Sequence, residues 1–401
     1  MRAKIYEDML NAKSVIRETF TYGAQRAAKI GYENVFDYSL GNPSVPVPDK
    51  FTRKMIELLE TKSPMELHGY SPTLGNQAAR EAVAASLKKR FHLDYAADHI
   101  FMTSGAASSL AHAFRAVTVP GDTILTFAPY FPEYGPYVNL TGAHLKVVPA
   151  DLASFQIDFQ RFEEMVTEDV TAVLINSPNN PSGVVYTEET LKTLAEILCR
   201  KGEQYCHDIY VISDEPYREI VFDGKTSPYM ASIYEKTITC YSFSKSISLP
   251  GERIGYLAAS PMDEDGKKIV DMCGQISRGI GHNCPSSIIQ MAVIDLLEDT
   301  SDLSVYETNM NLLYDKLTDL GFSCVRPGGT FYMFPKALEE DANAFCMKAR
   351  EYDLLLVPGD TFGCPGYFRI SYCVETEKVK RSLPAFEKLA QAYQKSVGYE
   401  I

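Results

Sequence analysis

The chain has 401 residues, of which 45% are hydrophobic and 23% are charged, a balance typical of a folded protein with one large or two moderate domains. Its 52 acidic residues outnumber its 39 basic residues and give a net charge of −13. This excess, together with the lack of any Lys/Arg-rich run, argues against a nucleic-acid-binding face, which requires clustered positive charge.

The first residues alternate charged and apolar side chains at helical spacing and lack the continuous apolar core of a signal peptide. No stretch approaches the roughly 20 apolar residues that are needed to span a bilayer. The nine cysteines are scattered, with neither a CxxC pair nor zinc-like Cys/His spacing, so we expect free thiols and no metal site. These features predict a cytoplasmic protein without membrane contact.

Seven short apolar runs rich in β-formers follow one another through the middle of the chain, between residues 99 and 260. In chain order they read HIFMTS, DTILTFA, HLKVVPA, TAVLINS, IYVISDE, TITCYSFS and RIGYLAAS. Helical patterns such as GAASSLAHAFRAV and TEETLKTLAEILCRK separate several of them. Strands that alternate with helices predict a mostly parallel sheet, covered on both faces, with its ligand beyond the carboxyl ends of the strands.

The pattern changes from about Cys284. Two helical patterns, PSSIIQMAVIDLLED and LSVYETNMNLLYDKLTDLG, precede the strand-like runs CVRPGGTFYMFP and YFRISYC, which one helix separates, and a last helix begins near Glu375. We therefore predict a large domain over residues 48–292 and a smaller α+β domain over residues 293–401. Residues 1–47 are predicted to form an N-terminal arm and part of the smaller domain.

Three segments with unusual residues follow predicted strands. FMTSGAASSLAHAF enters a helix through small residues, which either suit a tight turn or let a phosphate approach the free N–H groups of the helix N-terminus. In LINSPNNPSGVVY, Asn180 is an ordinary turn residue unless a ligand at the strand end needs an amide. In IYVISDEPYREI, Asp214 leaves a buried strand and either caps a helix or faces a cation or hydrogen-bond donor.

The segment SFSKSISLPGERIGY places Lys245 at the end of a buried strand, with Arg253 eight residues later. A lysine in that position is costly unless it is paired, neutral or covalently used. Pyridoxal phosphate is a ligand that would use the lysine, the carboxylate, the helix start and the arginine together. Its aldehyde reacts with a lysine, and its ring nitrogen needs a carboxylate to stay protonated. Its phosphate needs N–H donors and a fixed cation, for which arginine is well suited.

Eight motifs occur here in the order found in the class I/II aminotransferases, a fold type I family of pyridoxal phosphate enzymes: LGNPS, GYSPTLGNQAARE, SGAAS, PYFPEY, NSPNNPSG, SDEPY, SFSKSISLPGERIGY and FRIS. The chain resembles this family over essentially its whole length. The resemblance implies an α/β enzyme, with a mostly parallel sheet in a large domain and a smaller α+β domain, that moves an α-amino group from an amino acid to a 2-oxo acid.

Two other activities are alternatives for a chain with these motifs. A β-lyase that removes sulfur from cysteine conjugates would use the same scaffold and residues, and it stays open as the alternative. A non-catalytic sensor domain of a transcription regulator is disfavoured because the roughly 40 residues before SLGNPS are too few for a DNA-binding module.

The resemblance implies a role for each of several residues. Lys245 corresponds to the lysine that forms a Schiff base with the cofactor and then acts as general base, its pKa lowered by burial and nearby cations. Asp214 corresponds to the carboxylate at the ring nitrogen, and Tyr217 and Asn180 correspond to the donors at the ring hydroxyl. The set that surrounds the phosphate comprises Gly105, the N–H groups of Ala106 and Ala107, Ser242, Ser244 and Arg253.

The chain contains no tryptophan, so another aromatic residue must stack on the cofactor ring. Phe131 occupies the corresponding position in PYFPEY, with Tyr130 as the weaker candidate. The phosphate segment also departs from many relatives, which carry a polar side chain where this sequence has Ala106 and Ala107. That departure affects the expected side-chain contacts but not the backbone contacts.

The resemblance also implies substrate contacts and a second subunit. Arg369 corresponds to the arginine that holds the substrate α-carboxylate, although alternation along its strand equally allows a solvated side chain. Gly41 and Asn180 correspond to further substrate contacts. Tyr70 corresponds to a tyrosine that relatives lend to the neighbouring subunit's phosphate, which implies a homodimer with shared active sites.

Arg278 lies 33 residues after Lys245, close to the spacing of an arginine that holds the distal carboxylate in one subfamily of aspartate aminotransferases. That arginine reaches into the partner's site, and a bidentate pair with it would select aspartate or another dicarboxylic donor. The alternative is a solvated loop residue without a role in selection.

Overall fold

The computed structural model of the protein describes residues 4–11 and 14–397. Its helices, in chain order, are α1 (Lys4–Asn11), α2 (Val15–Ile30), α3 (Asp49–Thr61), α4 (Pro64–His68), α5 (Gln77–Phe91), α6 (Ala106–Val117), α7 (Tyr134–Asn139), α8 (Phe159–Met165), α9 (Glu188–Tyr205), α10 (Phe243–Ser246), α11 (Gly266–Ile280), α12 (Ser287–Ala292), α13 (Ser304–Asp319), α14 (Ala342–Ala349) and α15 (Thr376–Val397). Short 3₁₀ turns join several of these helices to their neighbours.

The strands are short and mostly fully buried. In chain order they are β1 (Phe36–Asp37), β2 (Ile100–Thr103), β3 (Thr123–Phe127), β4 (His144–Val148), β5 (Val170–Asn176), β6 (Tyr210–Asp214), β7 (Thr237–Ser242), β8 (Gly255–Ala259), β9 (Tyr332–Met333), β10 (Leu354–Leu355), β11 (Val357–Pro358) and β12 (Phe368–Ser371). Strands β2 to β8 correspond one to one to the seven apolar runs of the sequence, so those strand predictions are confirmed.

These seven strands form one sheet in the order β2-β8-β7-β6-β5-β3-β4. All neighbouring pairs are parallel except those of β8, which runs antiparallel to β2 and to β7. The adjacent strands β5, β6 and β7 end at Asn176, Asp214 and Ser242, and the first two of these residues lie side by side in the register. Polar side chains from strands that are far apart in sequence therefore meet at one edge of the sheet.

The remaining strands form two small sheets, one in which β1 pairs with β10 and one in the order β11-β12-β9. A large buried cluster joins Tyr38 and Val45, near the N-terminus, to side chains between residues 306 and 390. The predicted boundaries at residues 48 and 293 stay predictions. The outer ends of the first and last predicted segments, residues 1–3 and 398–401, lie outside the described residues.

Two predicted elements are shorter than their sequence patterns. CVRPGGTFYMFP yields only the strand β9, since Pro327 and the two following glycines interrupt regular pairing. The helical pattern over residues 285–299 gives α12, which ends at Ala292 and continues as a 3₁₀ turn. Within residues 4–11 and 14–397, no helix is both long enough and apolar enough to cross a membrane.

Candidate active site

A cavity of about 300 Å³ lies beyond the carboxyl ends of β5, β6 and β7. Twelve of the fifteen residues predicted from the sequence to act at the site line it: Gly41, Ala106, Ala107, Phe131, Asn180, Asp214, Tyr217, Ser242, Ser244, Lys245, Arg253 and Arg369. The other three are Gly105, which lies directly behind the lining, and Tyr70 and Arg278, which lie outside it.

Lys245 lies on the short helix α10, directly after strand β7. Its Nζ donates to the main-chain oxygen of Gly41 at 2.7 Å, and the ring of Phe331 lies 5.6 Å from it. Burial lowers the pKa of the ammonium to about 8, and the nearby charges of Arg253 and Arg369 act in the same direction. At mildly alkaline pH, Lys245 is therefore a neutral, nucleophilic amine in a large fraction of the molecules.

Asp214 ends strand β6 as a buried carboxyl group. The hydroxyl of Tyr134 donates to its Oδ2 at 2.6 Å, whereas its Oδ1 is buried without a hydrogen-bond partner within the described part of the chain. Burial raises the pKa of the carboxyl group to about 7, against the opposing effect of the Tyr134 hydrogen bond. A buried oxygen without a partner is costly, so this atom suits a ligand that brings its own donor.

The N-terminus of α6 and the segment after β7 lie side by side in the cavity wall. Gly105 precedes the helix with φ of 91°, and a Cβ there would lie 3.0 Å from the guanidinium of Arg253. The helix begins at Ala106, so its first N–H groups lack intrahelical acceptors. The hydroxyls of Ser242 and Ser244 lie 2.6 Å apart beside them. These donors and one cation can enclose an anion.

Arg369 on β12 is buried, with 2% of its surface exposed, so the solvated alternative is wrong. Its Nη1 donates to Oδ1 of Asn180 at 3.1 Å, and its Nη2 donates to the main-chain oxygen of Ser39 at 2.6 Å. Its Nε has no partner among the described residues, and burial lowers the pKa of the guanidinium. A buried cation of this kind suits an incoming carboxylate.

The two aromatic residues predicted to contact the cofactor, Tyr217 and Phe131, both line the cavity. Tyr217 lines it, and its hydroxyl lies 3.2 Å from that of Tyr332. Phe131 lines it as well and packs edge-on against Tyr134, while Tyr130 is not part of the lining. The placement of Phe131 favours it over Tyr130 as the stacking residue.

Several lining residues were not predicted from the sequence: Ile16, Leu40, Tyr134, Asn176 and Tyr332. Asn176 donates to the main-chain oxygen of Asp214 at 2.8 Å and accepts from the backbone N–H of Asn180 at 2.7 Å, so it joins two strand ends. Its position at the end of TAVLIN was the signal that could have identified it. Tyr134 stands at the end of PYFPEY, where its spacing from Phe131 was the available signal.

Tyr70 and Arg278 lie outside the cavity of a single chain. Tyr70 is fully exposed, and the preceding Gly69 accepts a hydrogen bond from Ser287 at the start of α12. Arg278 lies in the last turn of α11, where it is exposed and donates to the side chain of Gln275 at 3.1 Å. The alternative for Arg278 placed it in a loop, whereas it is helical. Their predicted roles require a second subunit and stay predictions.

Comparison with known proteins identifies the family. The family profile described as aminotransferase class I and II matches residues 33–386. The chain belongs to this family. A probable N-acetyl-LL-diaminopimelate aminotransferase of Bacillus subtilis is 30% identical, over 95% of this chain and 95% of its own length. An aspartate aminotransferase of Thermotoga maritima is 29% identical, over 88% and 91%.

Solved structures agree with the family assignment. The crystal structure of an aminotransferase from Eubacterium rectale has a TM-score of 0.95 at 45% identity and covers 98% of this chain and 99% of its own. The predicted fold class is thereby confirmed, and the protein is a transaminase that acts on amino acids and 2-oxo acids. Class I and II aminotransferases of this fold use pyridoxal phosphate.

The residues at the cavity fit this cofactor on independent grounds. Lys245 offers an amine whose pKa is already lowered, and Asp214 offers a buried oxygen that lacks a donor. The helix start at Ala106 and the cation of Arg253 offer partners for a phosphate. The cofactor has a matching functional group for each: an aldehyde for the amine, a protonated ring nitrogen for the carboxylate oxygen, and a phosphate for the N–H donors and the guanidinium.

Proposed function

We propose that this aminotransferase carries out its reaction with Lys245, Asp214 and Tyr217 as catalytic residues. The observation that carries the proposal is the distribution of charge around the cavity. Two cations without a carboxylate partner in the described part of the chain, Lys245 and Arg369, face the same space as Asp214, whose Oδ1 is free.

Lys245 would hold the cofactor covalently through Nζ and, once displaced by the donor, take the proton from the donor's α-carbon. Its lowered pKa supports this role, because the neutral amine is the form that accepts a proton. Asp214 Oδ1 would accept a hydrogen bond from the cofactor's ring nitrogen, and Tyr217 and Asn180 would donate to its ring hydroxyl. The cofactor supplies the electron sink that makes the α-proton acidic.

The remaining lining residues would bind and orient. Phe131 would stack on the cofactor ring. The phosphate would be bound by Gly105, Ala106, Ala107, Ser242, Ser244 and Arg253. Arg369 would bind the α-carboxylate of the donor in a bidentate pair, with Gly41 and Asn180 beside it. The buried position of Arg369 and its unpartnered Nε support this assignment.

We also propose that the protein is a homodimer and that its amino donor is a dicarboxylic amino acid. A homodimer would bring Tyr70 of one subunit to the phosphate of the other, and the full exposure of Tyr70 in a single chain supports this arrangement. Arg278 would hold the distal carboxylate of a dicarboxylic donor across the same interface. Its exposure at the end of α11 leaves the guanidinium accessible to a partner's site.

A panel of amino donors with 2-oxoglutarate and pyruvate as acceptors tests the reaction and the donor together. We expect strict dependence on an acceptor, and a loss of turnover in Lys245→Ala. Release of pyruvate from a cysteine conjugate without any acceptor would instead support the β-lyase, for which the three relatives described above, all aminotransferases by name, give no further support. If Arg278→Ala leaves the ratio of kcat/KM for aspartate over alanine unchanged, Arg278 does not select the donor.

A further inference from the structure

Two adjacent residues place an aromatic ring beside two cations of the site, Lys245 and Arg369. The ring centroid of Phe331 lies 5.6 Å from Nζ of Lys245, and the centroid of Tyr332 lies 4.8 Å from Cζ of Arg369. Both rings are buried, and they lie where the chain enters strand β9. One short segment thus contacts the proposed catalytic lysine and the proposed carboxylate-binding arginine.

Two aromatic rings contact the guanidinium of Arg369. Phe362 contacts it as closely as Tyr332 does, with its centroid also 4.8 Å from Cζ. A ring face attracts a guanidinium without neutralising its charge and without using its N–H donors. A carboxylate in the same place would compete with the substrate for those donors. The aromatic contacts therefore hold the cation in a buried position while its charge remains available.

The hydroxyl of Tyr332 makes a separate contact. It lies 3.2 Å from the hydroxyl of Tyr217, and burial raises the pKa of Tyr332 to about 12, so it is protonated at neutral pH. If it donates to the oxygen of Tyr217, the proton of Tyr217 is left free to point into the cavity. The hydroxyl is also wedged against Gly41, where an added Cβ would lie 1.8 Å from it.

We propose that Tyr332 is a positioning residue for the transamination site: its ring holds Arg369 for the substrate carboxylate, and its hydroxyl orients Tyr217. The inference rests on the proposed functions of Arg369 and Tyr217. It assigns two separable tasks to one side chain, because the ring and the hydroxyl contact different partners.

Two substitutions at Tyr332 separate the tasks. Tyr332→Phe keeps the ring and removes the hydroxyl, whereas Tyr332→Leu removes both. We expect KM for the amino donor to rise roughly tenfold in Tyr332→Leu, as expected for one lost cation–π contact, and to stay near wild type in Tyr332→Phe. We expect both variants to raise the pH midpoint of the loaded enzyme's visible absorbance, by about half a unit to one unit.

A second variant and a matched control make the test decisive even if Tyr332→Leu folds poorly. Phe362→Leu removes the other ring from Arg369 and should raise KM without moving the absorbance midpoint. Phe162→Leu removes a buried ring on α8 that packs on Phe127 and does not line the cavity, and it should change neither value.

The inference is overturned if Tyr332→Phe and Tyr332→Leu give the same KM, or if Phe162→Leu raises KM as much as Tyr332→Leu does. An absorbance midpoint that Tyr332→Phe does not move would overturn the assigned task of the hydroxyl. Failure of the proposed function is recognised separately with Arg369→Ala: an unchanged KM in that variant would refute the carboxylate-binding role of Arg369, whatever Tyr332 does.

Discussion

At the scale of single residues, the lowered pKa of Lys245 should set the pH dependence with which the cofactor-free protein binds pyridoxal phosphate covalently. The folded-state pKa of about 8 lies below the ordinary lysine value of 10.5, so the neutral amine becomes the major form above about pH 8. We expect the rate of covalent pyridoxal phosphate uptake, followed by absorbance, to rise with pH and level off above about 8. A midpoint near 10.5 would show that burial does not act on this amine.

Tyr134 should increase the fraction of Asp214 that is ionised at neutral pH. Its hydrogen bond opposes the burial that raises the carboxyl pKa to about 7, so Tyr134→Phe should raise that pKa further and leave the group largely protonated at pH 7. A hydrogen bond to a charged group contributes about 1.5–3 kcal/mol, so we expect at least a tenfold higher Kd for pyridoxal phosphate at pH 7, recovering as pH rises.

Tyr234→Phe is the matched control for this substitution. Tyr234 is also buried and also donates one hydrogen bond, to the main-chain oxygen of Ile209 at 2.8 Å, away from the cavity. Its Kd should match wild type at every pH. Equal Kd values for Tyr134→Phe and Tyr234→Phe would mean that Tyr134 does not act through Asp214.

Some site residues could be identified from the sequence and others could not, for a physical reason. Asp214 ends a buried strand and Lys245 follows another within three residues, and a charge without a partner there is costly and therefore informative. Tyr332 and Tyr134 are aromatic residues in ordinary surroundings, which most often pack in a core. Their contacts depend on distances between segments that are far apart in the chain, and no spacing in the sequence gives those distances.

At the scale of elements, the same contrast holds. The seven strands of the large sheet were predictable because each is a short run rich in β-formers, and all except the edge strand β4 are largely buried on both faces. Strands β1, β9, β10 and β11 have two residues each, too short for any periodic pattern. Pairing of β1 with β10 joins residues 36–37 to residues 354–355, a contact that local sequence cannot indicate.

Gly41, in the loop before α3, packs closely against residues at the start of β9 beside the cavity. Gly41 accepts a hydrogen bond from Lys245, and an added Cβ there would lie 1.8 Å from Oη of Tyr332 and 3.2 Å from the ring of Phe331. Gly41→Ala must shift this loop or β9, so we expect kcat/KM to fall by at least tenfold, in line with a misplacement of the site by part of an ångström.

Gly251→Ala is the control for this prediction. Gly251 lies in the loop between Lys245 and Arg253, and an added Cβ there meets nothing within 4 Å. This variant should keep the kcat/KM of the wild type. A Gly41→Ala enzyme as active as Gly251→Ala would show that the loop moves away from β9 without cost.

At the scale of the whole molecule, the proposed homodimer predicts that the active species has twice the mass of the chain. Leu59, Met65 and Tyr70, which lie close together in sequence, each expose a large apolar group, and this favours burial against a second subunit. Light scattering at assay concentration should give a dimer, and an active monomer would refute it. Tyr70→Phe should weaken cofactor retention modestly, since one hydrogen bond to a charged group contributes about 1.5–3 kcal/mol.

The most direct test concerns the assignment of Lys245 as the residue that holds the cofactor. Borohydride reduction of the loaded protein fixes the cofactor to its lysine, and peptide mapping then locates the pyridoxyl group. We predict a single adduct on Lys245, which lies on α10 just after the buried strand β7 and has a lowered pKa. An adduct on an exposed lysine such as Lys225 or Lys267 would contradict the assignment.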